Sequence, residues 1–248
     1  MSFLIADGVR AGILHGAPLE VRPEFFLDGL VVAVGPYSDQ TLRERHVIQT
    51  VGSVDWLSFD SVDDMRFDPA SGLLSGVALR MAQREIPGDG PVPIPAGGTG
   101  LIRLAEPQDF RLVSASVRWK APGHSALICL YGDVEPEIPG WHTIMIAEGL
   151  DLIIEEDRLS GWILHHPHRY LFAAGVAPGP VVDDPELEQA LDRYLSIASH
   201  PNVDRLLDGD QTLWEKLDVI VELMSSGEGD SLRRSILKRQ IDYLMEWR

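Results

Sequence analysis

Glu148–Tyr170 reads EGLDLIIEEDRLSGWILHHPHRY. Two apolar runs, Leu150–Ile154 and Leu159–Leu164, flank the charged turn Glu155–Arg158. Short apolar runs on either side of a polar turn predict a β-hairpin. The second run ends in His165-His166-Pro167-His168, the most unusual tetrapeptide of the chain. An earlier segment echoes the hairpin. Leu74-Ser75-Gly76-Val77-Ala78-Leu79 aligns with Leu159-Ser160-Gly161-Trp162-Ile163-Leu164. Upstream, Asp64-Met65-Arg66-Phe67 aligns with Asp151-Leu152-Ile153-Ile154. If the echo is a duplication, the first 176 residues hold two related β units packed together.

Working outward, Asp7-Gly8 and Asp28-Gly29 sit between apolar runs, a strong hairpin signal. Ser38–Arg45 reads as one helical turn or a loop, and His46–Val51 as β-like. Pro87–Gly100 has too much Pro and Gly for a regular element. Phe110–Lys120 alternates Val113, Ala115, Val117 and Trp119, the pattern of a strand. Ser125–Tyr131 and Trp141–Ala147 read as further strands. The expected body is antiparallel, a sandwich or partly open barrel over residues 1–178.

Beyond the Gly175–Pro180 linker the apolar period changes to that of a helix. Asp184-Pro185 is an N-cap followed by Pro at the first helical position. Leu187, Leu191, Tyr194, Leu195 and Ala198 share one helix face. Asp210 and Asp230 cap two more predicted helices, the second bearing a basic face of Arg233, Arg234, Lys238 and Arg239. Residues 183–248 are thus expected to form a helical unit packed on the body, and the fold class is α+β.

The chain has 248 residues, 45% of them hydrophobic, enough to bury a real core. Its net charge of -17 argues against an electrostatic grip on nucleic acid or on anionic membrane surfaces. No apolar run approaches the roughly 20 residues of a membrane span. The N-terminus lacks the charged and apolar regions of a signal peptide, which makes the cytoplasm the expected compartment. The lone Cys129 lies in an apolar run and reads as a small buried hydrophobe.

Several constellations bear on chemistry. His166 and His168 form an H-x-H pair, but Pro167 interrupts the strand geometry that would align two imidazoles on one metal. No metal or cofactor is assigned, and His165, His166, His168 and Arg169 read as turn residues at a binding surface. Gly123-His124-Ser125-Ala126-Leu127 approaches the nucleophile elbow but has Leu127 where the last glycine belongs and a strand where the helix should follow. Gly97-Gly98-Thr99-Gly100 lacks the Lys-Ser/Thr of a phosphate loop. Asp55, Asp60, Asp63 and Asp64 form an acidic run around Trp56 and Phe59, and Glu155, Glu156 and Asp157 form another. Both read as a solvated, charged rim.

The function expected from these features is a non-enzymatic protein that docks a basic partner through its acidic surface, as a bacterial inhibitor or immunity-type protein would. The alternative is an enzyme or binding protein for a small molecule. Its pocket would lie in the β body, lined by Trp56, Trp119, Trp141, Trp162 and Tyr170, with His142, His165, His166 or His168 as acid or base.

Overall fold

The computed structural model describes residues 1–37, 39–53, 62–87, 94, 97–120, 125–132, 140–177, 179–226, 229–246 and 248. Asp7-Gly8 turns β1 (Ser2–Ala6) back on β2 (Val9–His15). Asp28-Gly29 lies in the turn between β3 (Glu24–Phe26) and β4 (Val31–Val34). The next segment departs from expectation. Instead of a strand at His46, α1 (Gln40–Gln49) runs on, and only β5 (Val51–Gly52) is extended. Asp39 caps α1 by accepting from the Leu42 amide at 3.0 Å. Arg66 donates to the Val47 and Thr50 carbonyls at its other end. Local caps and a buried arginine thus override the β-branched appearance of the stretch, in which Ile48 is 76% exposed.

The strands β6 (Asp64–Phe67), β7 (Leu74–Arg80), β8 (Arg84–Pro87) and β9 (Gly98–Leu104) follow. Then come β10 (Val117–Lys120), β11 (Ala126–Leu130) and β12 (His142–Ala147). The strand expected from Phe110 is shorter than its pattern, and Val113 is 57% exposed. The opening hairpin is β13 (Leu150–Glu155) and β14 (Arg158–His165). A short 3-10 helix (Pro167–Tyr170) leads to β15 (Leu171–Phe172).

Pairing produces two sheets of one design. One runs β15-β3-β4-β7-β6-β5, and the other contains β8-β10-β11-β14-β13-β12 in the same order. The two hairpins even share an irregularity. In the first, Arg66 faces Gly76 and Phe67 faces Leu74, which leaves Ser75 as an extra residue. In the second, Ile153 faces Gly161 and Ile154 faces Leu159, which leaves Ser160. The repeated Leu-Ser-Gly is therefore a β-bulge at the same point of each hairpin. The outermost strands are exchanged: β8 follows the first hairpin but pairs parallel with β10, while β15 follows the second and pairs parallel with β3.

The second sheet extends through β9, β2 and β1, and β1 pairs with β14 to close a six-stranded barrel. Its core includes Phe3, Ile102, Ile146, Leu152 and Trp162, all 0% exposed. The antiparallel expectation holds only in part, since β1–β14, β8–β10, β9–β12 and β3–β15 are parallel. Alternation of apolar residues reports which face is buried, not the direction of the neighbour, so parallel partners far apart in sequence leave no signal.

The C-terminal unit is helical as expected, but with one short helix, α3, beyond the three that the aspartate caps predict: α2 (Pro185–Ile197), α3 (Asn202–Leu207), α4 (Gln211–Ser226) and α5 (Ser231–Met245). Its apolar face, including Leu187, Leu191, Leu217, Leu237 and Ile241, joins the same core as the strands. Arg234 fastens the unit internally, donating from Nε and Nη2 to the two oxygens of Asp184 at 2.6 and 2.7 Å. Asp184 also caps α2 and accepts from the Asp230 amide, so one carboxylate joins the starts of α2 and α5.

Candidate functional site

The repeated design makes the two sheets directly comparable, and their outer faces differ. On the second sheet that face is apolar and filled. Trp119, Ile128, Leu130, Trp141, Ile153 and Ile163 form a buried cluster, with Trp119 and Trp141 edge-on at 5.5 Å. Ile128 faces Ile163 across the strands, and Asp151 also faces Ile163. On the first sheet the corresponding pairs are Ala33 with Ala78 and Asp64 with Ala78. Where Trp119 stands opposite Ile128, Glu24 stands opposite Ala33.

Small side chains in place of isoleucine leave a cleft of about 260 Å³. Ala33, Ala78 and Val31 line it together with Asp64, Tyr37, Arg43, Arg80 and Asp28. Asp64 is 4% exposed, and neither of its carboxylate oxygens has a hydrogen-bond partner among the described residues. Its nearest ion-pair contact is Arg66 Nε at 3.9 Å. The buried Tyr37 hydroxyl beside it likewise closes no hydrogen bond of normal geometry among the described residues. Burial pushes the Asp64 carboxyl up to about 6, against the opposing pull of Arg66, Arg43 and the neighbouring Tyr37 hydroxyl. Burial, with the Asp64 charge beside it, also raises the Tyr37 phenol. A desolvated carboxylate that closes no normal hydrogen bond is unfavourable, and a donor entering the cleft beside the Tyr37 hydroxyl relieves it.

The acidic residues expected to share a rim do not do so. Asp63 is 0% exposed, accepting from the Arg80 amide at 2.8 Å and the Tyr131 hydroxyl at 2.5 Å. Burial lifts it to about 6. Asp60, with Asp55, Trp56 and Phe59, lies outside the described residues. Glu156 and Asp157 are exposed, as expected, in a tight turn with φ of 46° and 60°. Trp162, expected to bind, is instead a core residue at 0% exposure. Strand alternation placed Trp162 on a face, but only the barrel closure decides that this face is interior. Trp119 and Trp141 are likewise packed rather than lining a pocket. The Gly123-His124 part of the elbow-like motif lies outside the described residues, and β11 follows it.

The histidine end of the hairpin divides three ways. His165 pairs with Asp151 at 2.9 Å. His166 is exposed, with φ at 49°. His168 is not the exposed turn residue expected but is 1% exposed, because Pro167 opens a 3-10 helix that turns it inward. Its Nδ1 lies 3.5 Å from Glu188 Oε2 on α2, and neither ring nitrogen makes a hydrogen bond among the described residues. Burial lowers the His168 pKa, opposed by Glu188. Arg169 pairs with Asp183 at 3.2 Å, and its carbonyl accepts from Arg22 and Arg233. The acidic turn and the histidines sit at opposite ends of β14 and form no common site.

The basic face predicted for α5 is largely consumed inside the protein. Arg233 and Arg234 are each 3% exposed. Arg233 binds Asp230 and the carbonyls of Gly179, Pro180 and Arg169, which ties down the linker. Among the residues that sequence reasoning missed, Ala78 and Arg80 had a signal. The Leu-Ser-Gly alignment sets them against Ile163 and His165. Tyr37 and Arg43 had none, since only the fold carries α1 and its approach over the sheet. No family model, curated protein or solved structure matches this chain.

Proposed function

We propose that the protein binds a small polar molecule in the cleft on the outer face of its first β sheet. The observation that carries this reading is the Asp64 carboxylate, 4% exposed and closing no hydrogen bond of normal geometry among the described residues. It lines an open cleft at a place where the second sheet is filled by isoleucine. Asp64 offers acceptors, Tyr37 a hydroxyl, and Arg43 and Arg80 positive charge on the same walls. That arrangement suits a zwitterion, with a cationic nitrogen on Asp64 and an anionic group toward the arginines. The test is a titration of small zwitterions, free amino acids first, followed by shifts in NMR spectra. Saturable binding that is lost in both Asp64→Asn and Ala78→Ile is expected. A binder whose affinity survives Ala78→Ile would place the site elsewhere and overturn the reading.

A second reading, docking of a basic protein partner in the manner of an immunity protein, keeps support from one feature. The helical unit buries Arg233 and Arg234 while Asp183, Glu186, Asp192 and Asp204 have side chains at least half exposed. Such a surface speeds encounter with a basic partner and weakens with salt. Pull-down from a native cytoplasmic extract at low salt tests it. Recovery of no basic protein, or recovery insensitive to salt, counts against it. Among the described residues no helix is long and apolar enough to cross a membrane.

A further inference from the structure

We propose that His166, His168 and Glu188 form a binding site for a divalent transition-metal ion of the zinc class. One imidazole or carboxylate atom from each of the three lies within 4.8 Å of the others. His168 is 1% exposed, yet both its ring nitrogens are without a hydrogen bond among the described residues. Its Nδ1 is aimed at Glu188 Oε2, 3.5 Å away. A buried imidazole is ordinarily satisfied by a carbonyl, a carboxylate or water. One held beside a second imidazole and a carboxylate is arranged as a ligand. The His166 and His168 rings stand edge-on with centroids 6.0 Å apart.

The backbone explains how this comes about. On a strand, Pro167 would spoil an H-x-H pair. Here the chain leaves β14, passes His166 in the left-handed region and enters the 3-10 helix at Pro167. The two rings then converge on the first turn of α2, where Glu188 sits. Two neutral imidazoles and one carboxylate are a common ligand set for zinc, with the fourth position open to solvent. A tetrahedral ion with bonds of about 2.0–2.2 Å holds its ligand atoms a little over 3 Å apart, roughly. Closing to that spacing requires movement mainly of His166 and Glu188, and His166 is exposed and Glu188 partly so.

The position gives the ion a structural task. Residues 166–170 are the crossing by which the chain leaves the second hairpin to add β15 to the first sheet. The ion would pin this crossing to α2. The equivalent crossing of the first hairpin is pinned differently. His200 donates its amide to Gln83 O at 2.7 Å, and its ring meets the Gln83 side chain at 2.9 Å. Each crossing strand is thus fastened to the helical unit near one end of α2.

The test uses the untagged full chain, titrated with zinc chloride by calorimetry and with cobalt chloride by visible absorption. One ion per chain is expected, with cobalt bands of low coordination number and a rise in melting temperature on zinc addition. His166→Ala and Glu188→Gln alter accessible side chains and leave the fold intact. Each should weaken zinc at least about tenfold, whereas His200→Ala should not. His168→Gln should abolish binding; should it not fold, the two accessible variants decide the matter alone. No saturable binding of either ion, or affinity equal in wild type, His166→Ala and Glu188→Gln, overturns the proposal.

Discussion

Gly76 and Gly161 stand at the same point of the two β units, each pressed under a carbonyl of the adjacent strand. A Cβ at Gly161 would lie 2.4 Å from Cys129 O, and one at Gly76 would lie 3.0 Å from Val34 O. Both glycines follow the bulged serine of a Leu-Ser-Gly. The bulge turns the strand so that no side chain fits there. Gly161→Ala is expected to destabilise the protein by about 1–3 kcal/mol, because backbone rather than a flexible side chain meets the new methyl. Gly76→Ala should be milder. Urea unfolding of the two variants checks both magnitude and order.

Asp64 makes stability depend on pH in an unusual direction. Its ordinary value is 3.8, and burial raises it to about 6 in the folded protein. Between these values the folded state keeps a proton that the unfolded chain has released. Stability therefore falls as pH rises from about 4 to 6. Asp64→Asn removes this contribution. The variant should exceed wild type in unfolding free energy at pH 7 by about 1–3 kcal/mol, and the difference should vanish near pH 4. Asp63, also raised to about 6, leaves a residual decline in the variant. An equal or larger loss of stability in Asp64→Asn at pH 7 would show that the carboxylate is satisfied in the free protein.

The opposite sign is expected of Asp184. Burial alone would raise its pKa, but Arg234 and the amides of Leu187 and Asp230 hold it at about 2. Its stabilisation is complete above pH 4 or so, about its unfolded value, and is lost as pH falls toward 2. Arg234→Met strands a carboxylate that is 2% exposed and is expected to cost about 3–5 kcal/mol at pH 7. Chemical denaturation at pH 7 and pH 3 should show the deficit shrinking as Asp184 protonates.

Trp162 separates a core role from a binding role. At 0% exposure within the barrel, Trp162→Ala is expected to cost about 3–5 kcal/mol through cavity formation. A tryptophan on a binding surface would cost far less. Differential scanning calorimetry of the variant distinguishes the two.

Local pattern, cap residues and composition alone determined that there are two hairpins with a shared Leu-Ser-Gly, three aspartate-capped helices from Asp184, Asp210 and Asp230, and a strongly acidic balance. These are local properties, set by side-chain alternation, turn residues and caps within a few positions. The tertiary structure decided the rest. It showed that β8 and β15 trade sheets, that Trp162 faces a closed barrel, and that Asp63 and Asp64 are buried rather than rim residues. Alternation marks two faces of a strand but does not say which face another layer covers, nor whether the neighbour runs parallel. His168 is the sharpest instance. The sequence placed it in an exposed turn with a proline spoiling the pair. The fold made that proline the start of a 3-10 helix, brought α2 against it, and set Glu188 beside a buried imidazole.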